Sequence, residues 1–236
     1  MPSMADFSSL DGLDPYDLQD SECARLRGWF DSLDDAAWDV ASGCEAWTRR
    51  DVLAHLLAVE EYFASCLAGS VAELMVRYSE SGMATVADFG LIGVAGAAGK
   101  SGPELLELWT SASALNRAGF RDADGTDIDS SVGTYPGRLQ AFHVAFEYGV
   151  HANDVDAPVD PTDCDNRQHW LASVGRFAIT EIKEHLHIRV DEDRWTVTEG
   201  DTSFELNRDQ FIAGVAARPA TAALEPGAAA LLDPGY

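Results

Sequence analysis

Apolar residues recur at helical spacing in four segments of the chain, and this pattern predicts four amphipathic helices. The first helix begins at Asp14-Pro15, the second at Thr48, the third at Ser101 and the fourth at Arg138. The second and third starts each have an acidic residue three positions later, which is the spacing of a capping box. The four apolar faces consist of Leu18, Leu26, Trp29, Phe30 and Leu33; Val52, Leu56, Val59 and Phe63; Leu105, Leu108, Trp109, Ala112 and Leu115; and Leu139, Phe142, Phe146 and Val150. Four such helices predict a bundle with an up-down-up-down order.

The pattern changes after Pro158. A helical period over residues 166–184 is followed by three strand-like stretches and a further short helix over 207–217. The strand candidates are residues 185–190, 194–200 and 202–207. The sequence therefore predicts a mainly α fold in two domains, a helical bundle over residues 1–160 and a small α+β domain over residues 161–236.

Three segments between these elements are predicted to be connections. Residues 1–13 have the composition of a loose leader, and residues 80–102 are a flexible, Gly/Ala-rich connection with room for a short helical piece. The sequence Gly99-Lys100-Ser101 lacks the earlier glycine of a phosphate-binding loop, because Val94 stands at that position. Residues 121–137 carry alternating aspartates without the closing glutamate of a calcium loop, so a solvated loop is favoured.

The overall charge and the cysteines limit the partners of the protein. The chain of 236 residues has a net charge of −24, which argues against nucleic acid and anionic membranes as partners. No apolar run approaches a membrane-spanning length, and the first residues lack a basic region followed by an apolar one. The four cysteines are scattered without a CxxC pair, as is typical of free thiols in a reducing cytosol. We therefore expect a cytoplasmic monomer or homodimer that acts on small molecules.

Four polar side chains follow the edge of the apolar face of the fourth helix. His143, Glu147, His151 and Asp154 lie at spacings of four, four and three residues. Polar groups so close to the inside of a bundle need hydrogen bonds, ion pairs or a metal. Glu147 and His151 are one turn apart and can point at the same atom. A third ligand must come from another helix, and the second helix offers His55 on its apolar face.

From the residues alone, two interpretations of this cluster stay open. Two histidines and one carboxylate suit zinc, and they also suit nickel, iron(II) or manganese. The alternative is that Glu147 and His151 pair with each other, or with an arginine, inside the bundle. The spacing does not favour either interpretation. His185 and His187 form a second possible metal pair on one face of a strand, although surface or packing roles suit them better without a carboxylate or cysteine nearby.

Two motifs resemble those of a known family. Residues 44–63 (CEAWTRRDVLAHLLAVEEYF) are similar to the Cys-Pro-Gly-Trp-Thr-x-x-Asp-x-x-x-His motif of the mycothiol-dependent maleylpyruvate isomerase family, which belongs to the DinB-like bundle superfamily. Residues 146–158 (FEYGVHANDVDAP) resemble its second motif, Glu-x-x-x-His-x-x-Asp. The order of helix pair, long connection, helix pair and small C-terminal part also fits. The chain departs from the pattern at Glu45-Ala46, which replaces Pro-Gly, and at Val144, where many members carry arginine.

The resemblance implies a DinB-like bundle with a divalent metal, zinc first among the candidates. The ligands that it implies are His55, Glu147 and His151. Asp154 either orients a ligand, as carboxylates next to metal ligands commonly do, or caps structure. The resemblance further implies that an arginine of the C-terminal region, for which Arg218 is the nearest candidate, takes part in the reaction. His143 is an addition to the motif, and it could be a fourth ligand, a proton shuttle or a packed residue.

Three functions fit a metal site with open coordination positions. The resemblance favours an enzyme that activates a low-molecular-weight thiol such as mycothiol for addition to an electrophilic small molecule, either as an S-transferase or as a cis–trans isomerase. A metal-hydroxide or biosynthetic enzyme on the same scaffold would need no thiol. A non-catalytic bundle would use the metal for stability or sensing alone.

Overall fold

The computed structural model describes residues 7–83 and 88–235 and shows a mainly helical protein, as the pattern predicts. The helices are α1 (Pro15–Asp31), α2 (Arg49–Ala68), α3 (Val71–Glu80), α4 (Asp88–Gly96), α5 (Gly102–Asp122), α6 (Gly137–Asp154), α7 (Cys164–Ile182), α8 (Arg208–Val215) and α9 (Pro226–Leu232). The strands are β1 (Asp127–Ile128), β2 (Tyr135–Pro136), β3 (His187–Asp191), β4 (Arg194–Glu199) and β5 (Thr202–Leu206). The chain separates into two compact units, Asp14–Pro158 and Val159–Gly235, and the second unit includes the segment that ends at Leu13.

Helices α1, α2, α5 and α6 form the bundle of the first unit, and their starts follow the predicted capping signals. The Asp14 carboxylate accepts a hydrogen bond from Tyr16 N at the start of α1. Thr48 and Asp51 form a reciprocal capping box at the start of α2, and Ser101 and Glu104 form another at the start of α5. Each box satisfies backbone N–H groups that have no partner within the helix.

Helices α2 and α5 run in the same direction. Gly102 at the start of α5 lies against Trp38, which precedes α2. Gly119 near the end of α5 lies against Leu67 near the end of α2. Because start meets start and end meets end, the two helices are parallel neighbours.

Helices α1 and α6 are also parallel to each other. Gln19 Nε2 near the start of α1 donates to Ala141 O near the start of α6, at 2.8 Å. Trp29 Nε1 near the end of α1 donates to Val155 O just after α6, at 2.9 Å.

The helix order of the bundle is therefore up-down-down-up, and the predicted up-down-up-down order is wrong. An ion pair joins Asp20 near the start of α1 to Arg117 near the end of α5, so that α1 runs opposite to α5. Up-down-up-down is the expected order when successive helices are joined by short loops. Here residues 69–101 lie between α2 and α5, and this long connection returns the chain to the end of the bundle where α2 begins.

The connection between α2 and α5 is largely ordered. It contains α3 and α4, both of which pack against α2. The flexible connection predicted over residues 80–102 is therefore helical over Asp88–Gly96, while its residues 84–87 lie outside the described part of the chain.

The apolar face of α5 is narrower than its sequence predicts. Leu105 and Trp109 are buried in the core, but Leu108 is 44% exposed and Leu115 is 75% exposed. These two leucines are seven residues apart and share the outer face of α5, because α1 and α2 cover only the inner one. The predicted loop over residues 121–137 carries the short antiparallel pair β1–β2.

The second unit combines α7, α8 and α9 with an antiparallel sheet of order β3-β4-β5. The helices over 166–184 and 207–217 and the three strands appear as predicted, whereas α9 was not predicted. The Trp195 ring on β4 stacks on the Phe211 ring of α8 at 4.3 Å between centroids. The described part of the leader is not loose, because Phe7–Leu10 forms a 3-10 helix and the Phe7 ring contacts the Phe177 ring at 6.0 Å. Residues 1–6 lie outside the described residues.

Candidate metal centre

Three polar side chains converge at the end of the bundle where α2 begins and α6 finishes. The Nε2 atom of His55 on α2 lies 2.8 Å from Glu147 Oε1 on α6. The Nε2 atom of His151, one turn further along α6, lies 3.1 Å from the same oxygen. The three donor atoms lie within 4.8 Å of one another. Two imidazole nitrogens and a carboxylate oxygen form the donor set of a catalytic zinc site, so the residues fit a divalent ion.

The second ring nitrogen of His151 is engaged on the opposite side. His151 Nδ1 lies 2.8 Å from Asp154 Oδ2. The thiol of Cys44 donates to the same Asp154 oxygen at 3.1 Å and lies 3.9 Å from His151 Nδ1. Both His151 and Asp154 are 5% exposed. Because Nδ1 faces Asp154, Nε2 is the nitrogen directed at Glu147.

The electrostatics of the site follow from these contacts. Burial alone would raise the pKa of Glu147, but hydrogen bonds to His151 and His55 hold that pKa well below its ordinary value. Burial alone would lower the pKa of His151, but its contacts with Asp154, Cys44 and Glu147 raise that pKa well above the ordinary range. A metal ion bound at this position would therefore compete with protons, and its affinity would rise with pH.

The rings of Trp47 and Phe89 pack beside His55. The centroid of the His55 ring lies 5.2 Å from that of Trp47 and 6.4 Å from that of Phe89. Gly90 on α4 brings the backbone unusually close, since a Cβ at this position would lie 2.7 Å from Trp47 Cη2 and 3.3 Å from His55 Nδ1. Phe89, which lies in the connection between α2 and α5, and Trp47, which precedes α2, thus form an aromatic wall beside His55.

The structure places His143, the fourth polar residue on the edge of α6, beside Tyr135. The Tyr135 hydroxyl lies 3.2 Å from His143 Nε2. Among the described residues, His143 belongs to neither of the two groups whose donor atoms lie close enough to share an ion. A role as a fourth ligand therefore has no support in this geometry, whereas a role in proton transfer stays a prediction.

The remaining sequence candidates lie in the second unit. Both histidines of the possible second metal pair, His185 and His187, are exposed, and neither belongs to a potential metal group within residues 7–83 and 88–235. Arg218 follows α8, where its Nη1 donates to Ala216 O at 3.0 Å. The catalytic role of Arg218 stays a prediction.

Cys44 is the residue of the site that sequence reasoning missed. The scattered cysteines are predicted to be free thiols, and none of them is assigned to the site from the sequence. The signal that could have identified Cys44 is its place at the start of the first motif, eleven residues before His55.

Comparison with known proteins assigns the bundle to a family. No curated protein matches the sequence significantly. Two solved structures are similar to this chain: mycothiol-dependent maleylpyruvate isomerase and a histidine-to-alanine mutant of that enzyme, with TM-scores of 0.52 and 0.51. Each shares 16% sequence identity with this chain, and each alignment covers 71% of this chain and 68% of the other. This similarity shows a shared fold. No helix among the described residues is long and apolar enough to cross a membrane.

A family model described as the N-terminal domain of mycothiol maleylpyruvate isomerase matches residues 20–156, which include every residue of the candidate metal centre. The match confirms the enzyme family that the two motifs indicated, and the shared fold confirms the predicted helical bundle. This chain therefore belongs to the family of the mycothiol maleylpyruvate isomerase N-terminal domain.

Proposed function

We propose that this protein is a zinc-dependent enzyme that activates a low-molecular-weight thiol, mycothiol or a similar one, for addition to an electrophilic small molecule. The observation that carries the proposal is the convergence of His55 Nε2, Glu147 Oε1 and His151 Nε2 inside a family domain named for a mycothiol enzyme. The free cysteines fit a reducing compartment, and the proposal accordingly places the enzyme in the cytoplasm.

Each residue of the site has a defined part in this proposal. His55, Glu147 and His151 would hold the zinc ion, and Asp154 keeps His151 oriented. Zinc, when bound, lowers the pKa of a thiol and so supplies a thiolate at neutral pH. Three protein ligands leave a coordination position open for the thiol sulfur. His143, one turn before Glu147 on α6, is our candidate for moving the proton.

The reaction that follows is the addition of sulfur to an electrophilic carbon. A new S–C bond forms, and the electron pair of the attacked double bond accepts a proton in an S-transfer reaction. In an isomerisation the adduct instead rotates about the former double bond, the S–C bond breaks and the thiol is regenerated. Trp47 and Phe89 beside His55 would contact the apolar part of the electrophile. Arg218 is the proposed partner of an anionic group on the substrate.

Cobalt substitution tests the proposal directly. The protein should bind about one divalent ion per chain, as a single three-residue site implies. Addition of mycothiol to the cobalt protein should produce a thiolate-to-cobalt charge-transfer band in the near ultraviolet. His151→Ala and Glu147→Ala should abolish both the stoichiometric metal and the band. His187→Ala, which removes an exposed histidine of β3, is the matched control and should retain both.

The competing functions predict different outcomes of the same titration. If the cobalt protein binds one ion but gives no band with mycothiol, glutathione or cysteine, the thiol-dependent function is wrong and a metal-hydroxide enzyme takes its place. If His151→Ala keeps its full metal content, the ligand assignment itself is wrong.

A further inference from the structure

Cys44 lies in a short loop that is hydrogen-bonded to the end of α6. The backbone of Gly43 donates to Asp154 O at 2.7 Å, and Cys44 N donates to Ser42 Oγ at 3.2 Å. The buried Cys44 thiol then donates to Asp154 Oδ2 at 3.1 Å. The loop therefore contacts Asp154 through both its backbone and its side chain.

The geometry around Asp154 explains why a thiol at this position affects the metal centre. Asp154 Oδ2 faces two donors at once, the Cys44 thiol and His151 Nδ1 at 2.8 Å. A carboxylate on which two donors converge is held in one rotamer, and it holds the imidazole in the same way. Removal of a residue that hydrogen-bonds to a metal ligand and orients it commonly weakens metal affinity by about 10- to 100-fold.

We propose that Cys44 is a positioning residue of the metal centre: its S–H donates to Asp154 and thereby holds His151 with Nε2 directed at the metal position. The inference rests on the metal site of the proposed function but not on its thiol chemistry. No bond to Cys44 is made or broken. The alternative is that Cys44 binds the ion itself, since Cys44, His151 and Asp154 also form a group within 4.8 Å.

The test measures metal affinity without any added thiol. Zinc and cobalt dissociation constants are determined by chelator competition for the natural chain and for Cys44→Ala, Cys44→Ser and Cys66→Ala. Cys66 is the matched control because it is also a buried free thiol, lies on α2, the helix of His55, and belongs to neither potential metal group among the described residues. Unfolding of the metal-free variants shows whether the two alanine substitutions cost similar stability.

We expect Cys44→Ala to weaken metal binding by about tenfold or more. Cys44→Ser keeps a donor for Asp154, so it should remain within about threefold of the natural affinity, and Cys66→Ala should be unchanged. The visible cobalt spectrum of Cys44→Ala should also change, because a looser His151 distorts the coordination geometry. In an Asp154→Ala background, Cys44→Ala should have no further effect, since the acceptor of its hydrogen bond is gone.

Three results would overturn the inference. Equal affinities of Cys44→Ala and Cys66→Ala would show that Cys44 acts only by filling space. A thiolate-to-cobalt band in the natural chain before any thiol is added would make Cys44 a ligand instead. If the natural chain binds no metal, the proposed function is refuted as well. If the natural chain binds metal and Cys44→Ala binds it equally well, only the positioning role is refuted.

Discussion

Glu60 on α2 is a carboxyl group inside the bundle, and the structure predicts how it makes stability depend on pH. The residue is 1% exposed. Its Oε1 accepts a hydrogen bond from the Tyr148 hydroxyl, and its Oε2 accepts one from Asn116 Nδ2 at 2.7 Å. Burial raises the pKa of Glu60 from its ordinary value of 4.5 to about 7, although the two hydrogen bonds act in the opposite direction.

The sign and size of the effect follow from this pKa. Between pH 4.5 and about 7 the folded protein binds more protons at Glu60 than the unfolded chain does. The free energy of unfolding therefore decreases as the pH rises through this window, and it stays reduced above pH 7. At 1.36 kcal/mol per pKa unit, the loss amounts to about 3 kcal/mol.

Glu60→Gln isolates this contribution. Glutamine retains an oxygen that can accept from Tyr148, but it carries no charge at any pH. Urea unfolding in the presence of a chelator should give similar free energies for the two proteins near pH 4.5. By pH 8 the variant should be more stable by about 3 kcal/mol, the penalty that ionised Glu60 imposes. Glu61→Gln is the matched control, because the adjacent Glu61 is half exposed and pairs with Arg77.

The free energy of unfolding of Glu61→Gln should differ from that of the natural protein by a constant amount from pH 4.5 to pH 8. If the difference between Glu60→Gln and the natural protein were constant from pH 4.5 to pH 8, Glu60 would not titrate in this window. The assignment of a raised pKa to the buried carboxyl would then be refuted.

Two further predictions concern the packing and the backbone around the site, and Gly96→Ala is the control for the first of them. Gly90→Ala should lower the free energy of unfolding by about 1–3 kcal/mol and weaken metal binding, because the new Cβ would collide with Trp47 beside His55. Gly96→Ala on the same helix has nothing within 4 Å of the new Cβ and should stabilise the protein by up to about 1 kcal/mol, so equal losses in the two variants would refute the argument. Ala46 has a φ of 64°, where the family motif has glycine, and Ala46→Gly should raise the free energy of unfolding by up to about 1 kcal/mol in the same urea assay. A decrease in that assay would show that the loop does not strain Ala46.

The bundle helices could be predicted because the signals that specify them are local. Periodic apolar residues and the caps at Asp14, Thr48 and Ser101 act within one or two turns, so they can be recognised in the sequence. The strands β3 to β5 were predictable for the same reason, since alternation and turn residues specify them locally.

The direction of α5 could not be predicted, because it depends on the path of residues 69–101 and not on the helix itself. A helical period is the same whichever way the helix runs. The exposure of Leu108 and Leu115 was missed for a related reason, since the width of the covered face depends on which neighbours α5 has. The position of α4 over His55 likewise depends on the close approach that Gly90 allows.

The members of the candidate metal centre could be predicted from the sequence, but their arrangement could not. Spacing placed Glu147 and His151 together, whereas the meeting with His55 depends on where α2 lies relative to α6. The motifs, not the periodicity, favour the metal interpretation over a simple ion pair, and metal binding itself stays a prediction. Cys44 left no periodic signal because it lies in a loop, and its contact with Asp154 is what connects it to the candidate site in the structure.

The up-down-down-up order and the composition of the site have a common physical cause. The 20 residues of α2 span about 30 Å, and a parallel neighbour can start only after the chain has returned over that distance. In an up-down-up-down bundle the loop between the second and third helices could be short. In this protein the chain must run back along the length of α2 before α5 begins, which requires many residues. The chain uses them to form α3 and α4, and α4 passes over the beginning of α2, where His55 lies. The helix order that places the end of α6 beside the start of α2 thus also requires the segment that places Phe89 against that histidine.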